Sequence, residues 1–340
     1  MARHQDPLAD DFRRPARPLR SALAGLIAAA VLAFPALPAR ADIPQRPLVA
    51  YVQSWEDGPA AHGRDSGLVG LPAAIDVAIL SFVRPDAVYS GGEDLRPTGL
   101  GYAYGRAVLA EAIAERKARV PGSLVLLAVG GATYTAWHAL DAAAIARLVT
   151  AVGADGVDID LELDNPACQS DGGARISCTG GYVWRSTIKA LRAALPRPKV
   201  ISLTGWSVAA YGEGPWAEAR PTSQHTGELL ALFRHPVSAE IDLVTIMAYN
   251  ATAAYDPVEA YRAYRAVWAG PLSLGVLVPP DNGRQPDLTA AELTRLGQAI
   301  AADRKAGMML YAFGIPPQPG QLSANDIVEQ IARERPPVAP

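Results

Sequence analysis

The chain has 340 residues, half of them hydrophobic, and its 31 basic side chains nearly balance 34 acidic ones. This length suits one α/β barrel of typical size or two smaller domains, and it allows a large buried core. A net charge of −3 provides no basic surface for nucleic acid or for an anionic membrane, so neither is expected as a partner.

The first 41 residues have the composition of an export signal. Arginines at positions 13, 14, 17 and 20 precede an apolar run at residues 22–37, and Ala41 ends a small-residue cleavage site. The run is short and contains prolines, which disfavours a membrane anchor, and the residues after Arg13-Arg14 match twin-arginine export poorly. We therefore predict a secretory signal peptide over residues 1–41, cleaved near Ala41, and a secreted or periplasmic protein.

Apolar segments typical of buried strands alternate with amphipathic helical segments along the rest of the chain. The eight predicted strands cover residues 48–53, 77–82, 124–129, 156–161, 200–206, 243–248, 272–278 and 308–313. The predicted helices cover residues 106–119, 142–152, 184–194, 226–234, 257–268, 290–305 and 323–333. Capping signals at Thr289 and Ser323 mark the starts of the last two helices.

This alternation predicts an α/β fold in which the strands close into a (β/α)8 TIM barrel. A doubly wound open sheet is the alternative, and the lack of a Gly-rich dinucleotide fingerprint after the first strand weighs against it. We predict a single barrel domain over residues 42–335 and a disordered Pro-rich tail at residues 336–340. Functional residues of such a barrel lie at the carboxyl ends of its strands.

The fourth strand carries three carboxylates at alternate positions, Asp158, Asp160 and Glu162. Alternate residues of a strand share one face, while Val157 and Ile159 fill the opposite face. Neighbouring carboxylates repel one another and are costly to bury, so packing alone does not account for the row. A calcium-binding or acidic loop is the alternative, but calcium loops need a central glycine and lack the β-branched filling.

Residues 155–162, with the pattern D-G-x-D-x-D-x-E, resemble the active-site strand of glycoside hydrolase family 18, the chitinase-like family. Three other strand ends resemble that family in the same order. They are Ala128-Val129-Gly130-Gly131 after the third strand, Met247-Ala248-Tyr249-Asn250 after the sixth, and residues 307–311 in the eighth. The resemblance covers nearly all of the chain after residue 41.

The resemblance implies a retaining glycosidase that cleaves β-1,4 bonds after N-acetylglucosamine, with the acetamido oxygen of the substrate as nucleophile. It implies that Glu162 is the acid and base, and that Asp160 bonds the acetamido N–H and stabilises the positive intermediate. Asp158 is expected to share a proton with Asp160, which keeps Glu162 protonated near neutral pH. Tyr249 is expected to hold the acetamido carbonyl, and Asn250 to bond the sugar beside it.

Two residues depart from the family pattern. Ala128 replaces a serine that would bond the buried Asp158, and Tyr51 on the first strand is a candidate for supplying the missing hydroxyl. Tyr311 stands where the family has a tryptophan under the sugar, and its smaller ring offers less contact area. Further candidate substrate contacts are Tyr51 itself, Gly130, Gly131, Trp55, Trp137, Trp206 and Trp216, although each tryptophan is an equally good candidate for packing.

The only two cysteines, Cys168 and Cys178, lie in the long loop after the fourth strand. In an oxidising compartment we expect them to form a disulfide, with two free thiols as the alternative. This loop, residues 164–180, is a candidate border of the substrate groove. We expect the groove to be shallow and open, because the connection after the seventh strand is too short for an added subdomain.

The expected partner is an oligosaccharide or polysaccharide that contains N-acetylglucosamine, and the expected state is a monomer. The five histidines lack ligand spacing, so no metal or organic cofactor is expected. A non-catalytic, lectin-like barrel that binds chitin or oligosaccharides is the alternative, although such relatives typically lose the acid that Glu162 supplies. An endo-β-N-acetylglucosaminidase acting on N-glycan or peptidoglycan sugars would carry the same residues.

Overall fold

The computed structural model describes residues 42–172, 174–253, 255–279 and 286–335. The predicted signal peptide at residues 1–41 and the predicted tail at residues 336–340 lie outside the described residues. Within the described ranges, no helix is both long and apolar enough to cross a membrane.

Eight parallel strands close into a barrel, and two further strands form a separate hairpin. In chain order the strands are β1 (Leu48–Gln53), β2 (Val77–Val83), β3 (Leu124–Gly130), β4 (Gly156–Asp160), β5 (Cys168–Ser170), β6 (Ile176–Cys178), β7 (Val200–Trp206), β8 (Leu243–Met247), β9 (Leu272–Leu277) and β10 (Ala306–Phe313). The barrel order is β1, β10, β9, β8, β7, β4, β3, β2. All eight predicted strands are confirmed, with ends that differ by at most two residues, and so is the (β/α)8 fold.

Helices follow the barrel strands on the outside. They are α1 (Gly67–Gly70), α2 (Arg106–Arg119), α3 (Ala142–Val152), α4 (Gly181–Ala194), α5 (Leu230–Arg234), α6 (Pro257–Val267), α7 (Ala290–Ile300) and α8 (Ala324–Glu334). Short 3-10 turns occur at Gly63–Asp65, Arg96–Thr98, Trp137–Ala139, Gly214–Trp216 and Pro236–Glu240. Every predicted helix is present, whereas α1 and the β5–β6 hairpin were not predicted.

Two helices, α5 and α7, are shorter than predicted by more than a single residue. The start of α5 is delayed to Leu230 because Gly227 has a φ of +78°, and its N–H bonds back to the carbonyl of Val208. The end of α7 comes at Ile300, where hydrogen-bonded turns through Asp303 direct the chain into β10.

The barrel wall separates two apolar layers. Val157, Ile159 and Leu161 point outward from β4 and its end into the layer beneath the helices, as predicted. Inward-pointing side chains, including Val49 and Met309, form the second layer inside the barrel. Because strand side chains alternate, the outward burial of these three residues places the carboxylates of β4 inside the barrel.

Asp155 precedes β4, out of phase with the carboxylate row, and its contacts give it a structural role. Its Oδ2 accepts a hydrogen bond from the backbone N–H of Val125 at 2.8 Å, and its Oδ1 accepts one from Lys117 Nζ at 2.6 Å. These contacts join α2, β3 and β4 where the strands begin, at the end of the barrel opposite the carboxylate row.

The loop after β4 contains the β5–β6 hairpin, in which Cys168 and Cys178 form the predicted disulfide. The hairpin is fastened to the segment after β7. The backbone N–H of Ile176 donates to Glu213 Oε1 at 2.6 Å, and Arg234 pairs with Glu213 Oε2 at 2.7 Å. The disulfide closes the hairpin on itself, and the hydrogen bond to Glu213 holds it against the segment after β7.

We expect the double variant Cys168→Ser with Cys178→Ser to lose about 2–3 kcal/mol of unfolding free energy, because the open loop regains conformational entropy in the unfolded chain. Guanidinium denaturation of the oxidised protein and the variant measures this loss. Reducing the wild type should reproduce it, and reducing the variant should change nothing. Equal midpoints for variant and oxidised wild type would show that the hairpin unfolds separately from the barrel.

Candidate functional site

The three carboxylates of the fourth strand lie at its carboxyl end and differ in depth. Asp158 is fully buried, Asp160 is 4% exposed, and Glu162, just past the strand, is partly exposed. Asp160 and Glu162 line a cavity of about 500 Å³, a volume typical of small-ligand sites. The row therefore runs from the barrel interior to the wall of an open cavity.

The deepest carboxylate, Asp158, is surrounded by hydroxyl groups. The Tyr51 hydroxyl donates to its Oδ2 at 2.6 Å, the Ser202 hydroxyl donates to its Oδ1, and Thr204 Oγ1 lies 3.1 Å from its Oδ2. Tyr51 thus supplies the hydroxyl that Ala128 lacks, as anticipated from the sequence. Burial raises the pKa of Asp158, and the hydrogen bonds from Ser202, Tyr51 and Thr204 oppose that rise.

Ser202, Thr204 and Thr245 were missed from the sequence. They lie on β7 and β8, are almost completely buried, and form a chain in which Thr204 and Thr245 are 2.7 Å apart. The available signal was a pair of hydroxyl residues at alternate positions in the otherwise apolar β7. Their hydroxyl groups provide hydrogen bonds that offset the cost of burying the Asp158 carboxylate inside the barrel.

We expect Tyr51→Phe to lower the unfolding free energy by about 1–3 kcal/mol, because it removes a donor from a buried carboxylate. The matched control is Tyr89→Phe. The Tyr89 hydroxyl is also buried but has no hydrogen-bond partner in the described part of the chain, so its removal should be nearly neutral. Chemical denaturation of both variants tests this difference. Equal losses would mean that the Tyr51 hydroxyl contributes nothing specific.

The middle carboxylate, Asp160, is the least satisfied of the row. Its Oδ1 is buried and has no hydrogen-bond partner among the described residues. Burial raises its pKa well above the ordinary value, and the negative charges of Glu162 and Asp158 raise it further. A neighbouring ligand with an N–H group would satisfy this oxygen.

The outermost carboxylate, Glu162, has its pKa raised to about 7, chiefly by burial. The charge of His225 lowers this pKa and the charge of Glu228 raises it. A carboxyl group with this pKa holds a proton for part of the time at neutral pH. It can therefore both donate and accept a proton, as general acid–base chemistry requires.

Aromatic residues from β1, from β10 and from the segment after β8 cover the inner wall of the cavity. Tyr249 and Tyr311 stack with ring centroids 6.2 Å apart, and Tyr51 lies 5.6 Å from Tyr311. Asn250 also lines the cavity, with a φ of +56°, and its buried Oδ1 has no partner within the described ranges. The structure thus brings these four predicted residues to the same cavity as Asp160 and Glu162.

The glycine pair at the end of β3 packs against the backbone of β4 and so supports the site. Gly130 has a φ of +109°, and a side chain there would overlap the carbonyl oxygen of Asp160 and the ring of Trp137. Gly131, with a φ of +77°, donates its N–H to the carbonyl of Asp160 at 2.8 Å. Neither glycine lines the cavity, so the structure places them against the backbone of β4, and their predicted contact with substrate stays a prediction.

The four tryptophans suggested as sugar platforms fall into two groups. Trp55 is 47% exposed, stacks on Phe82 at 6.2 Å, and lines the cavity, as does Trp206. Trp137 is buried against Gly130, and Trp216 packs against the core; neither of them lines the cavity.

Several lining residues were not identified from the sequence. The set comprises Phe82, Gly99, Ala132, Thr133, Tyr134, Thr204 and the motif residue Met247. Most belong to the loops after β2 and β3. None of the described residues of the disulfide loop at 164–180 lines this cavity, and the expectation that the loop borders the substrate groove stays a prediction. Among the described residues, no three His, Cys, Asp or Glu side chains converge as metal ligands.

No protein-family model matches the chain, and no curated protein matches its sequence. Among solved structures, a family GH18 chitinase from Pseudoalteromonas aurantia is 20% identical, with a TM-score of 0.60 over 85% of this chain and 99% of that one. A fungal endo-β-N-acetylglucosaminidase of glycosyl hydrolase family 18 is 17% identical, with a TM-score of 0.58 and coverages of 86% and 99%. A chitinase from Aspergillus fumigatus is 19% identical, with a TM-score of 0.56 and coverages of 82% and 95%. These likenesses show that the chain has the chitinase-like fold of that family.

Proposed function

We propose that this protein is a family 18 glycoside hydrolase that cleaves β-1,4 bonds after N-acetylglucosamine, with Glu162 as the acid and base. The observation that carries the proposal is the graded row of Asp158, Asp160 and Glu162. Its outer member lines the cavity and has a pKa of about 7. The fold shared with chitinases and an endo-β-N-acetylglucosaminidase supports the same reaction class.

In the proposed reaction the acetamido oxygen of the substrate attacks the anomeric carbon as the glycosidic C–O bond breaks. The bonding electron pair leaves with the glycosidic oxygen, which takes the proton of Glu162. The product of this step is a positively charged oxazolinium ring. Glu162, now a carboxylate, then removes a proton from the water that opens the ring, which restores the acid and retains the configuration.

Asp160, Tyr249 and Asp158 would prepare the acetamido group for this attack. The unpartnered Oδ1 of Asp160 accepts the acetamido N–H, and its negative charge stabilises the oxazolinium ion. The Tyr249 hydroxyl donates to the acetamido carbonyl and keeps its oxygen in line. Asp158 is held by hydrogen bonds from hydroxyl groups. It shares a proton with Asp160, which limits the total negative charge of the three carboxylates.

Aromatic and amide side chains in the cavity would bind the sugars. Tyr311 forms the floor beneath the reacting ring, and Asn250 offers its unpartnered oxygen to a hydroxyl group. Trp55, exposed and stacked on Phe82, provides a platform for a further sugar. These contacts favour a chain of at least two sugar units over a single monosaccharide.

We expect kcat/KM to decrease as the pH rises through the Glu162 pKa of about 7. The sign follows from the role of the residue, because the proton that it donates is present below its pKa and lost above it. Initial rates measured from acidic to alkaline pH give this decrease in kcat/KM. Circular dichroism over the same pH range shows whether the protein remains folded. A rate that stays constant well above neutral pH would exclude Glu162 as the acid.

The function is tested by release of 4-methylumbelliferone from its chitobiose and chitotriose glycosides. Turnover of either supports the hydrolase, and the product pattern distinguishes internal from terminal cleavage. Binding of chitin oligomers without any turnover would instead support the lectin-like alternative. If both are absent, N-glycan and peptidoglycan fragments are the next substrates, because both contain N-acetylglucosamine. We further propose that residues 1–41 direct export, so the natural substrate lies outside the cytoplasm.

A further inference from the structure

Trp55 lies in the loop after β1, where the loop after β2 folds against it. Trp55 lines the cavity, is 47% exposed, and stacks on Phe82 of β2 with ring centroids 6.2 Å apart. A side chain on an unanchored loop loses conformational freedom when a ligand stacks on it, and this loss weakens binding. The contacts that fix this loop therefore bear on how well Trp55 binds a ligand.

The first fixing contact is at the residue before Trp55. The backbone N–H of Gly101, in the loop after β2, donates to the hydroxyl of the fully buried Ser54 at 2.9 Å. Gly101 also approaches Trp55 itself, because a Cβ atom on Gly101 would lie 3.0 Å from Trp55 Cβ and 3.2 Å from its Cα. These distances are shorter than an ordinary carbon–carbon contact. A side chain at position 101 would therefore force Trp55 to shift.

The second fixing contact is two residues after Trp55, at Asp57. The Tyr104 hydroxyl, in the loop after β2, donates to Asp57 Oδ2 at 2.7 Å, and the Ser66 hydroxyl donates to the same oxygen at 2.9 Å. The backbone N–H of Gly67 donates to Oδ1 at 3.0 Å. Ser66 and Tyr104 are 3% and 8% exposed. Hydrogen bonds to a carboxylate are among the stronger ones in proteins, so the two loops are joined on both sides of Trp55.

A row of rings leads from the carboxylates to Trp55. Successive centroid distances are 5.6 Å from Tyr311 to Tyr51, 6.3 Å from Tyr51 to Phe82, and 6.2 Å from Phe82 to Trp55. A sugar bound over Tyr311 therefore leaves Trp55 free for a later unit of the same chain. Asp57, Ser66, Gly101 and Tyr104 do not line the cavity, so they act on a ligand only through Trp55.

We propose that Asp57, Ser66 and Tyr104 are positioning residues that hold Trp55 as a rigid platform and thereby set the preference for longer N-acetylglucosamine oligomers over chitobiose. The inference rests on the proposed function for the class of ligand. Its physical basis is preorganisation, since a ring that is already fixed loses little freedom when a sugar stacks on it.

The inference is tested by calorimetric titration with chitobiose, chitotriose and chitotetraose, in a Glu162→Gln background that keeps the oligomers intact. Affinity should increase with oligomer length. Tyr104→Phe should weaken binding of chitotetraose about 3–10-fold and change that of chitobiose less than about twofold. The matched control is Tyr102→Phe, because Tyr102 stacks on Tyr104 and its buried hydroxyl has no partner among the described residues. This control should retain the full length dependence.

A second variant moves the platform without removing a hydrogen bond of Asp57. Gly101→Ala should cause the same length-dependent loss, whereas Gly92→Ala, in the same loop with open space around it, should not. In a Trp55→Ala background, Tyr104→Phe should have no further effect on Kd, because the residue that it positions is gone. A purely structural Tyr104 would instead lower the unfolding free energy without any dependence on oligomer length.

Equal weakening for every oligomer, or none, would overturn the inference, as would a Tyr104→Phe effect that persists without Trp55 or a protein that binds no oligomer. The glycoside assay on the native protein tests the proposed function separately. A length-dependent loss of binding without turnover would reject the hydrolase and leave the positioning role standing. Turnover without the length-dependent loss would reject the positioning role and leave the hydrolase standing.

Discussion

Glu162→Gln is expected to lower kcat on chitobiose glycosides by about 10³-fold or more, because the amide cannot donate a proton to the leaving oxygen. The side chain keeps its size and loses only the titrating group whose pKa lies at about 7. Binding of chitin oligomers should persist, since the aromatic lining of the cavity is unchanged. Steady-state kinetics and calorimetric titration with an oligomer measure the two effects separately.

The matched control for this variant is Asp164→Asn. Asp164 is exposed, lies two residues after Glu162, and is absent from the cavity lining. The substitution replaces a carboxylate by an amide in the same loop, so kcat should remain within a factor of about two, as for an ordinary surface substitution. Comparable losses in both variants would indicate that the loop, and not the Glu162 proton, limits the rate.

Asp160→Asn has the second largest expected effect, a decrease in kcat of about 10²–10³-fold. The amide removes the negative charge that stabilises the oxazolinium ion, and its N–H₂ group opposes the acetamido N–H. The unfolding free energy, in contrast, should increase. Asp160 has an unpartnered buried oxygen between two other carboxylates, so the neutral amide relieves both repulsion and desolvation.

The stability gain of Asp160→Asn has a defined pH dependence. The pKa of Asp160 is raised in the folded protein, so the contribution of this residue to stability is greatest below the ordinary carboxyl pKa and is lost as the pH rises through the raised pKa. The variant lacks this loss, so its advantage in unfolding free energy should grow with pH. Denaturation at several pH values tests the sign. Reduced stability together with reduced activity would mean that Asp160 has a structural role instead.

The sequence predicted the barrel well because its signals are local. Eight apolar segments, separated by segments with helical periodicity, define the strands whatever tertiary contacts the chain makes. The strand ends in the structure differ from the predicted ends by at most two residues. Segments without strong periodicity were predicted less well. The predicted helix at residues 226–234 begins too early, because no local signal shows that the N–H of Gly227 bonds to the carbonyl of Val208.

The candidate site was predictable to the extent that it lies on one strand. Asp158, Asp160 and Glu162 share a face by the two-residue period of β4, and burial of Val157 and Ile159 opposite them decides which face turns inward. Strand ends that resemble a known family added the residues around them. Neither signal could locate Asp57, Ser66 and Tyr104, whose hydrogen bonds join two loops and which carry no recognisable motif.

By itself the sequence determined the barrel, the order of its strands along the chain and the carboxylate row, because each depends on spacing within a few residues. Only the tertiary structure decided what surrounds Asp158. Ser202 and Tyr51 lie 44 and 107 positions away from it along the chain. Pairing of β7 with β4 brings the Ser202 hydroxyl to its oxygens, and curvature of the sheet into a closed barrel brings that of Tyr51. The proton affinity of the row depends on burial and on these distant partners, so it is a property of the closed barrel and not of the strand.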